Sequence, residues 1–377
     1  MKQNVLTGSD HLPTLTSYLH SNDVKRILLV TGKRSYSDSS ARSLLKPYLN
    51  GFQVTRFHEF DHNPKIEDVV KGIEAFKGDN CQAFIAVGGG SVMDMAKLIN
   101  AYQDYHGNIL EGVRNNLTGP CLTPLIALPT TSGSGSEATH FAVVYIDGQK
   151  YSVASDLLLP NYAFLVPEFT HSANSYLTAV TGMDALTQAI ESFWSVNSTE
   201  ESKVYSKEAL GSLWKHLPRA VQENDAKDRR VVMEAAHLAG KAINIAKTTA
   251  AHAISYSFTS YHDIPHGHAV ALTIPFFCGY NSQVSDIDCN DVRGADYVRD
   301  ILSEIQCILG EDDLEKALNS FIRSLGLNLT IPESPGGVEL DIERILGKIN
   351  VQRMKNNPRF VQIDDLRANL QKVILTH

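Results

Sequence analysis

A chain of 377 residues exceeds one ordinary hydrophobic core and predicts two domains. Its 43% hydrophobic and 20% charged content is that of a soluble globular protein, and a net charge of −8 excludes the basic footprint of a non-specific nucleic-acid binder. No apolar run approaches the roughly 20 residues of a membrane helix, and the opening MKQNVLTGSDHLPTL lacks a signal peptide's apolar stretch.

The first part of the chain alternates short apolar runs with helical patterns. RILLVT (Arg26 to Thr31) reads as a buried strand, and Asp38 to Lys46 as a helix stopped by Pro47. FQVTRF (Phe52 to Phe57) is a second strand and Ile66 to Phe76 a second helix. QAFIAV (Gln82 to Val87) is a third strand, ended by glycines and followed by a helix from Ser91; PLIAL (Pro124 to Leu128) is a fourth. FAVVYIDGQKYSV predicts a hairpin turning at Asp147-Gly148. This order predicts an α/β domain with a parallel sheet covered on both faces, whose ligands bind at the carboxyl ends of the strands. After about Glu168 long helical patterns take over: Leu177 to Trp194, Glu201 to His216 and Lys227 to Ile245. The expected division is therefore an α/β dinucleotide-binding domain over 1–168 and an all-helical domain over 169–377, joined near VPEFTHSANS. Beyond about Gly326 the sequence carries no legible chemistry. Five cysteines (Cys81, Cys121, Cys278, Cys289, Cys307) are scattered without a CxxC, which predicts reduced thiols, a cytoplasmic setting and no structural zinc on sulfur.

Two loops carry the first chemical signal. In AFIAVGGGSVMD a buried strand meets Gly88, Gly89 and Gly90, and Ser91 opens a helix, so a pyrophosphate can approach backbone N–H groups closely. Asp94, in the first helical turn, can cap that helix or meet a ligand amide. In LPTTSGSGSEAT, Thr130, Thr131 and Ser134 offer hydroxyl and backbone donors after another strand. Two such loops point to a phosphate-bearing ligand. Gly32, Lys33 and Arg34 follow the first strand with no acid directly after it. Lys33 and Arg34 either face solvent or accept the 2′-phosphate of NADP(H).

A second signal lies in the helical domain. Asp184 and Gln188 in TGMDALTQAIESFW are four apart and share a helix face. His252 and His266 flank AAHAISYSFTSYHDIPHGH. A carboxylate, an amide oxygen and two imidazoles can hold a divalent ion with a position left open for substrate. His262 either lines the pocket or faces water, and His268, two residues after His266, is expected to point elsewhere.

GGGSVMDMAK, PTTSGSGSEAT, GMDALTQAIES and IPHGHAVAL, in this order and spacing, resemble the signatures of the iron-containing (group III) alcohol dehydrogenases from about residue 10 to past 300. The resemblance implies interconversion of a small alcohol and its aldehyde with NAD(H) or NADP(H) and one divalent metal, Fe2+ or Zn2+. It implies a metal and a nicotinamide meeting in a cleft, and a homodimer. It assigns Gly89, Gly90, Ser91 and Asp94 to the pyrophosphate loop, Thr130, Thr131 and Ser134 to the second nucleotide loop, and Asn63 and Lys150 to the rest of the cofactor site. Gly32 falls where NAD-preferring members carry Asp, which implies use of NADP(H) beside or instead of NAD(H). Asp184, His252 and His266 fall on three metal ligands, and His266 belongs also to the catalytic centre. The fourth ligand, usually His, is Gln188. A second catalytic His four residues after His252 is replaced by Tyr256, leaving a proton relay to Tyr256 or His262. Lys241 and Lys247 stand in a stretch mostly apolar in the family, which predicts an anionic substrate. Together with Gln188, KAINIAKTTAAHAISY and ESFWSVNSTEES resemble the phosphonoacetaldehyde reductase branch, which implies reduction to 2-hydroxyethylphosphonate; a neutral short-chain aldehyde is the alternative. A third reading, a sugar-phosphate cyclase of the dehydroquinate synthase type, shares the architecture, but PTTSGSGSEAT and PHGHA favour the dehydrogenases.

Overall fold

The computed structural model describes residues 3–121, 123–262, 264–331 and 342–375, the side chains of 260–262 and 374–375 excepted. Two compact units divide after Ala173. The first runs β1 (Asn4–Thr7), α1 (Leu12–Ser21), β2 (Arg26–Thr31), α2 (Ser35–Asp38), α3 (Ala41–Leu45), β3 (Gln53–Phe57), α4 (Ile66–Gly78), β4 (Ala83–Gly88), α5 (Gly90–Tyr102), α6 (Ile109–Arg114), β5 (Leu125–Pro129), β6 (Phe141–Ile146), β7 (Gln149–Ala154) and β8 (Tyr162–Leu165). Six strands form a parallel sheet of order β1-β8-β5-β4-β2-β3. The inner strands β2, β4 and β5 are apolar throughout because both faces are covered. Ile27, Leu29, Ile85, Val87 and Ile126 enter one core with Leu15 and Leu45. The alternate residues Leu28, Val30, Phe84, Ala86 and Ala127 enter the other with Val69, Met95 and Ile99. β6 and β7 form the antiparallel hairpin, its turn made by Asp147 and Gly148, both at positive φ.

Three local expectations need correction. The helix expected over Asp38 to Lys46 is two short helices, α2 and α3, separated where Ser39 turns extended (φ −90°, ψ 163°). Serine side chains compete with the helix there: Ser39 Oγ accepts from the Ala41 N–H at 3.3 Å, and Ser40 Oγ donates to the Glu168 carbonyl at 2.7 Å. Pro47 does not stop the run but sits in the first turn of a 3-10 segment, Lys46–Leu49, where its missing N–H is tolerated. The sheet also has two strands more than the four read from the sequence, β1 and β8, four residues each and too short to show a period.

The second unit is helical: α7 (Ser175–Trp194), α8 (Glu200–Gln222), α9 (Ala226–Ala246), α10 (Ala250–His262), α11 (His266–Ala271), α12 (Ile274–Asn281), α13 (Ala295–Leu309), α14 (Leu314–Ser324), α15 (Ile342–Leu346), α16 (Val351–Met354) and α17 (Ile363–Leu375). α8 passes through Pro218 rather than ending at His216. Asn174, Thr199 and Asp225 cap α7, α8 and α9 with their side chains, each satisfying an N-terminal N–H of its helix. The three long helices pack around Leu186, Ile190, Leu213, Leu217 and Val232 in one core. α11 lies so close to α7 that a Cβ on Gly267 would stand 1.9 Å from the Val180 carbonyl oxygen, so the site residue His266 is set by a contact only glycine allows. No helix among the described residues is long and apolar enough to cross a membrane.

Candidate metal and cofactor sites

At the carboxyl ends of β4 and β5 the two glycine- and hydroxyl-rich loops touch. Thr130 N–H donates to the Gly88 carbonyl at 3.0 Å. A Cβ on Gly90 would stand 2.8 Å from Ser134 Oγ, and one on Gly89 3.3 Å from Thr131 Oγ1. Gly89 is the residue before α5, so the first N–H groups of that helix open at the loop. Ser91 Oγ donates to the His62 carbonyl, which ties in the segment carrying the exposed Asn63. Asp94 neither caps α5 nor offers both oxygens to a ligand: Oδ1 accepts from Ser136 Oγ at 2.6 Å and Oδ2 from the Val143 N–H at 3.1 Å. Burial raises its pKa; Lys97, these bonds and then Lys150 oppose the rise.

The sequence reading missed Lys97. Its ammonium, wholly buried, donates to the carbonyls of Ser136 (2.6 Å), Thr139 (2.7 Å) and Phe141 (2.9 Å) and to the hydroxyls of Ser136 and Thr139. One side chain thus pins the end of the second loop. Burial pulls its pKa down to about 8, against the pull of Asp94 and Glu137. At the end of β2, the solvent-exposed Lys33 places its Nζ 2.9 Å from Asp61, which Lys65 also approaches at 3.7 Å. Arg56, also unforeseen, holds the strand end through Thr31 Oγ1 (2.8 Å) and the Gly32 carbonyl (3.0 Å).

In the second unit Asp184, His252 and His266 converge, with one donor atom of each within 4.8 Å of the others. Asp184 and Gln188 are buried on one face of α7, one turn apart, with Gln188 Nε2 3.0 Å from Asp184 Oδ1. Turning that amide through 180° presents its oxygen to the cluster instead. His252 Nε2 lies 3.2 Å and His266 Nε2 3.9 Å from the same Asp184 oxygen. His252 Nδ1 meets Glu191, a carboxylate buried completely on α7 and missed by the sequence reading. Glu191 also accepts from Thr249 Oγ1 (2.8 Å), Ala251 N–H (2.8 Å) and His252 N–H (3.3 Å). A carboxylate only accepts, so Nδ1 carries a hydrogen, and Nε2 faces Asp184 either with a second hydrogen or with a lone pair for a cation. Two acceptors 3.2 Å apart are reconciled only by a proton or a cation, and two imidazoles, a carboxylate and an amide oxygen suit a divalent ion. Burial pushes the Asp184 carboxyl up, but the His252 bond and the charges of His266 and His252 outweigh it and hold it below its ordinary value.

Of the other expected residues, Tyr256 stacks on His266 with centroids 5.7 Å apart and planes 3° apart. Burial raises its phenol pKa despite Arg353, so its oxygen keeps its proton. His268 does point elsewhere: its ring nitrogens meet Tyr176 Oη (3.2 Å) and the Asn328 carbonyl (2.8 Å). The His262 side chain lies outside the described residues. Lys241 places Nζ 3.9 Å from the Tyr205 ring centroid, a contact between α9 and α8. Lys247 holds a left-handed φ of +64° at the end of α9 and reaches the Asn244 carbonyl at 3.4 Å.

A parallel sheet with two glycine- and hydroxyl-rich loops, and a helical unit with a buried carboxylate–imidazole cluster able to hold a cation, fit an oxidoreductase that uses a dinucleotide and a metal. The chain belongs to the iron-containing alcohol dehydrogenase family: the model "Iron-containing alcohol dehydrogenase" matches residues 2–167 and "Fe-containing alcohol dehydrogenase family, C-terminal" matches 178–372. It is 36% identical to a phosphonoacetaldehyde reductase of Streptomyces viridochromogenes over 256 residues, spanning 64% of this chain and 65% of that one. It is 30% identical to a 1,3-propanediol dehydrogenase of Klebsiella pneumoniae over 82% of this chain and 80% of that one. Its fold superposes on a sulfoacetaldehyde reductase from Bifidobacterium kashiwanohense in complex with NAD+, with a TM-score of 0.87 and 27% identity over 100% of this chain and 98% of that one.

Proposed function

We propose that the protein reduces a short anionic aldehyde to its alcohol, with phosphonoacetaldehyde to 2-hydroxyethylphosphonate as the reaction that fits best. The observation that carries the chemistry is the convergence of Asp184, His252 and His266. With Gln188 they would hold a divalent ion, Fe2+ or Zn2+, which supplies Lewis-acid polarisation of a substrate oxygen. NAD(H) or NADP(H) supplies the hydride. The chain's own residues do the rest. Gly89, Gly90, Ser91, Thr130, Thr131 and Ser134 receive the pyrophosphate on backbone and hydroxyl donors, and Lys97 and Asp94 hold those loops in place. Asn63 and Lys150 complete the cofactor site, and Gly32 places no carboxylate against a 2′-phosphate at Lys33. Glu191 keeps the hydrogen on His252 Nδ1, and Tyr256 stands against His266 as an O–H donor to the substrate oxygen, with His262 as the alternative relay. A cytoplasmic homodimer completes the reading.

The relatives named for phosphonoacetaldehyde and sulfoacetaldehyde support an anionic substrate. The test is a panel of aldehydes, phosphonoacetaldehyde and butanal included, assayed with NADH and with NADPH before and after chelation. Metal-dependent consumption of reduced cofactor with kcat/KM highest for phosphonoacetaldehyde is the expected result. Equal values for the neutral aldehydes would overturn the anionic substrate, and turnover indifferent to chelator would overturn the metal.

A further inference from the structure

Arg353 lies in the stretch where the sequence shows no chemistry, yet its place in the fold is beside the metal cluster. Its N–H is capped by Asn350 Oδ1 at 3.1 Å, and the Asn350 N–H reaches the carbonyl of Ala253, the residue after His252, at 3.4 Å. The short helix α16 is thus tied to the helix that carries a metal ligand. The guanidinium lies over the Tyr256 ring, 5.3 Å from its centroid, and that ring stacks on His266. Nη1 donates to the hydroxyl of Thr248, a buried residue whose carbonyl is held in turn by Asn356 Nδ2 at 3.0 Å.

Arg353 differs from most arginines of its unit in its charge balance. Arg219, Arg230, Arg293, Arg299, Arg359 and Arg367 of the same unit each have a carboxylate within ion-pair distance. Arg353 has none among the described residues, and its Nε and Nη2 donate to no group there. It is only half-exposed. A partly desolvated guanidinium with unused donors is costly unless an anion fills its fork. The two lysines expected to attract the anion are engaged otherwise, Lys241 on Tyr205 and Lys247 at a backbone carbonyl.

We infer that Arg353 recognises the anionic end of the aldehyde, a phosphonate or sulfonate group, while the carbonyl end lies at the Asp184–His252–His266 cluster. The inference rests on the proposed reading of that cluster. Two carbons between a carbonyl oxygen and a phosphorus or sulfur span roughly 4 Å at ordinary bond lengths of about 1.2–1.8 Å. Tyr256 is the residue shared by the two ends, its ring centroid 5.7 Å from that of His266 and 5.3 Å from the guanidinium carbon. Thr248 and Tyr256 aim the fork, and a planar bidentate donor suits two oxygens of a tetrahedral anion better than an ammonium does.

The experiment compares Arg353→Met, Arg353→Lys, Thr248→Val and Lys241→Met with the unaltered holoenzyme. Steady-state constants are measured for phosphonoacetaldehyde, sulfoacetaldehyde and butanal, and 2-hydroxyethylphosphonate binding by calorimetry. Arg353→Met should raise KM for the two anions about 10- to 100-fold more than KM for butanal, and weaken the alcohol's binding in parallel. Arg353→Lys should recover part of that loss, Thr248→Val should lose a smaller part, and Lys241→Met should change the anion-to-butanal ratio less than any of them. Equal KM changes for anion and butanal, with the alcohol still bound, would overturn the role of Arg353 and leave the anionic substrate standing. An unaltered enzyme that favours butanal would overturn both. Should Arg353→Met not fold, the Thr248→Val ratio decides.

Discussion

The two units build their sites from opposite materials. In the first, the two loops expected to face the pyrophosphate carry no charge of their own: glycines, threonines and serines form them, and Lys97 and Asp94 sit behind them as fasteners. In the second, the charged and imidazole groups are the site, with Asp184, His252 and His266 facing one another in the interior. The proposed ligands account for the difference. A pyrophosphate brings its own charge and is best received by N–H and O–H dipoles. A cation needs buried acceptors that are unstable together without it, and helices hold such groups at fixed spacing.

That contrast predicts that alterations behind each site damage only its own ligand. The largest effect is expected at Glu191. Glu191→Gln frees His252 to take either tautomer and should weaken divalent-metal affinity about 10- to 100-fold, read by competition with a chromophoric chelator. Cofactor affinity, read by nicotinamide fluorescence, should stay within about twofold. Metal affinity unchanged beside weakened cofactor binding would reverse the assignment. A smaller effect is expected at the end of β2. Gly32→Asp should move the ratio of kcat/KM for NADH over NADPH upward by about tenfold through repulsion of a 2′-phosphate. No change would show that the 2′-position lies elsewhere.

The smallest effect is a pH dependence of stability. Below about pH 8 Lys97 is charged in the folded protein and in the unfolded chain alike. Between about 8 and 10.5 the folded protein has released this proton while the unfolded chain keeps it, so the group's contribution to stability rises with pH across that window. Lys97→Met should lack the rise. Denaturation midpoints of protein and variant should therefore shift in the protein's favour from pH about 7.5 to about 10, and a difference independent of pH would contradict the buried ammonium.

The sites were unevenly legible in the sequence. Asp184 and Gln188 could be placed together because helical spacing is local, and the two loops because glycine and hydroxyl clusters end apolar strands. The groups behind them could not. Lys97, three residues after Asp94, looks like one half of an exposed helical pair, and only the fold shows it buried against a segment some forty residues on. Glu191 lies three residues after Gln188 and meets His252 sixty-one residues away. Arg353 stands in a segment with no motif, and its meaning comes from α16 resting beside α10. The contact of Lys241 with Tyr205 was equally hidden, since it is fixed by the packing of α8 on α9.

The measurement closest to the central claim is metal stoichiometry. After equilibration with Fe2+ or Zn2+ and removal of excess, elemental analysis should find one ion per chain in the protein. It should find essentially none in the Asp184→Ala/His252→Ala variant, whose nicotinamide binding remains. One ion per chain retained in that variant would place the metal elsewhere and contradict the account.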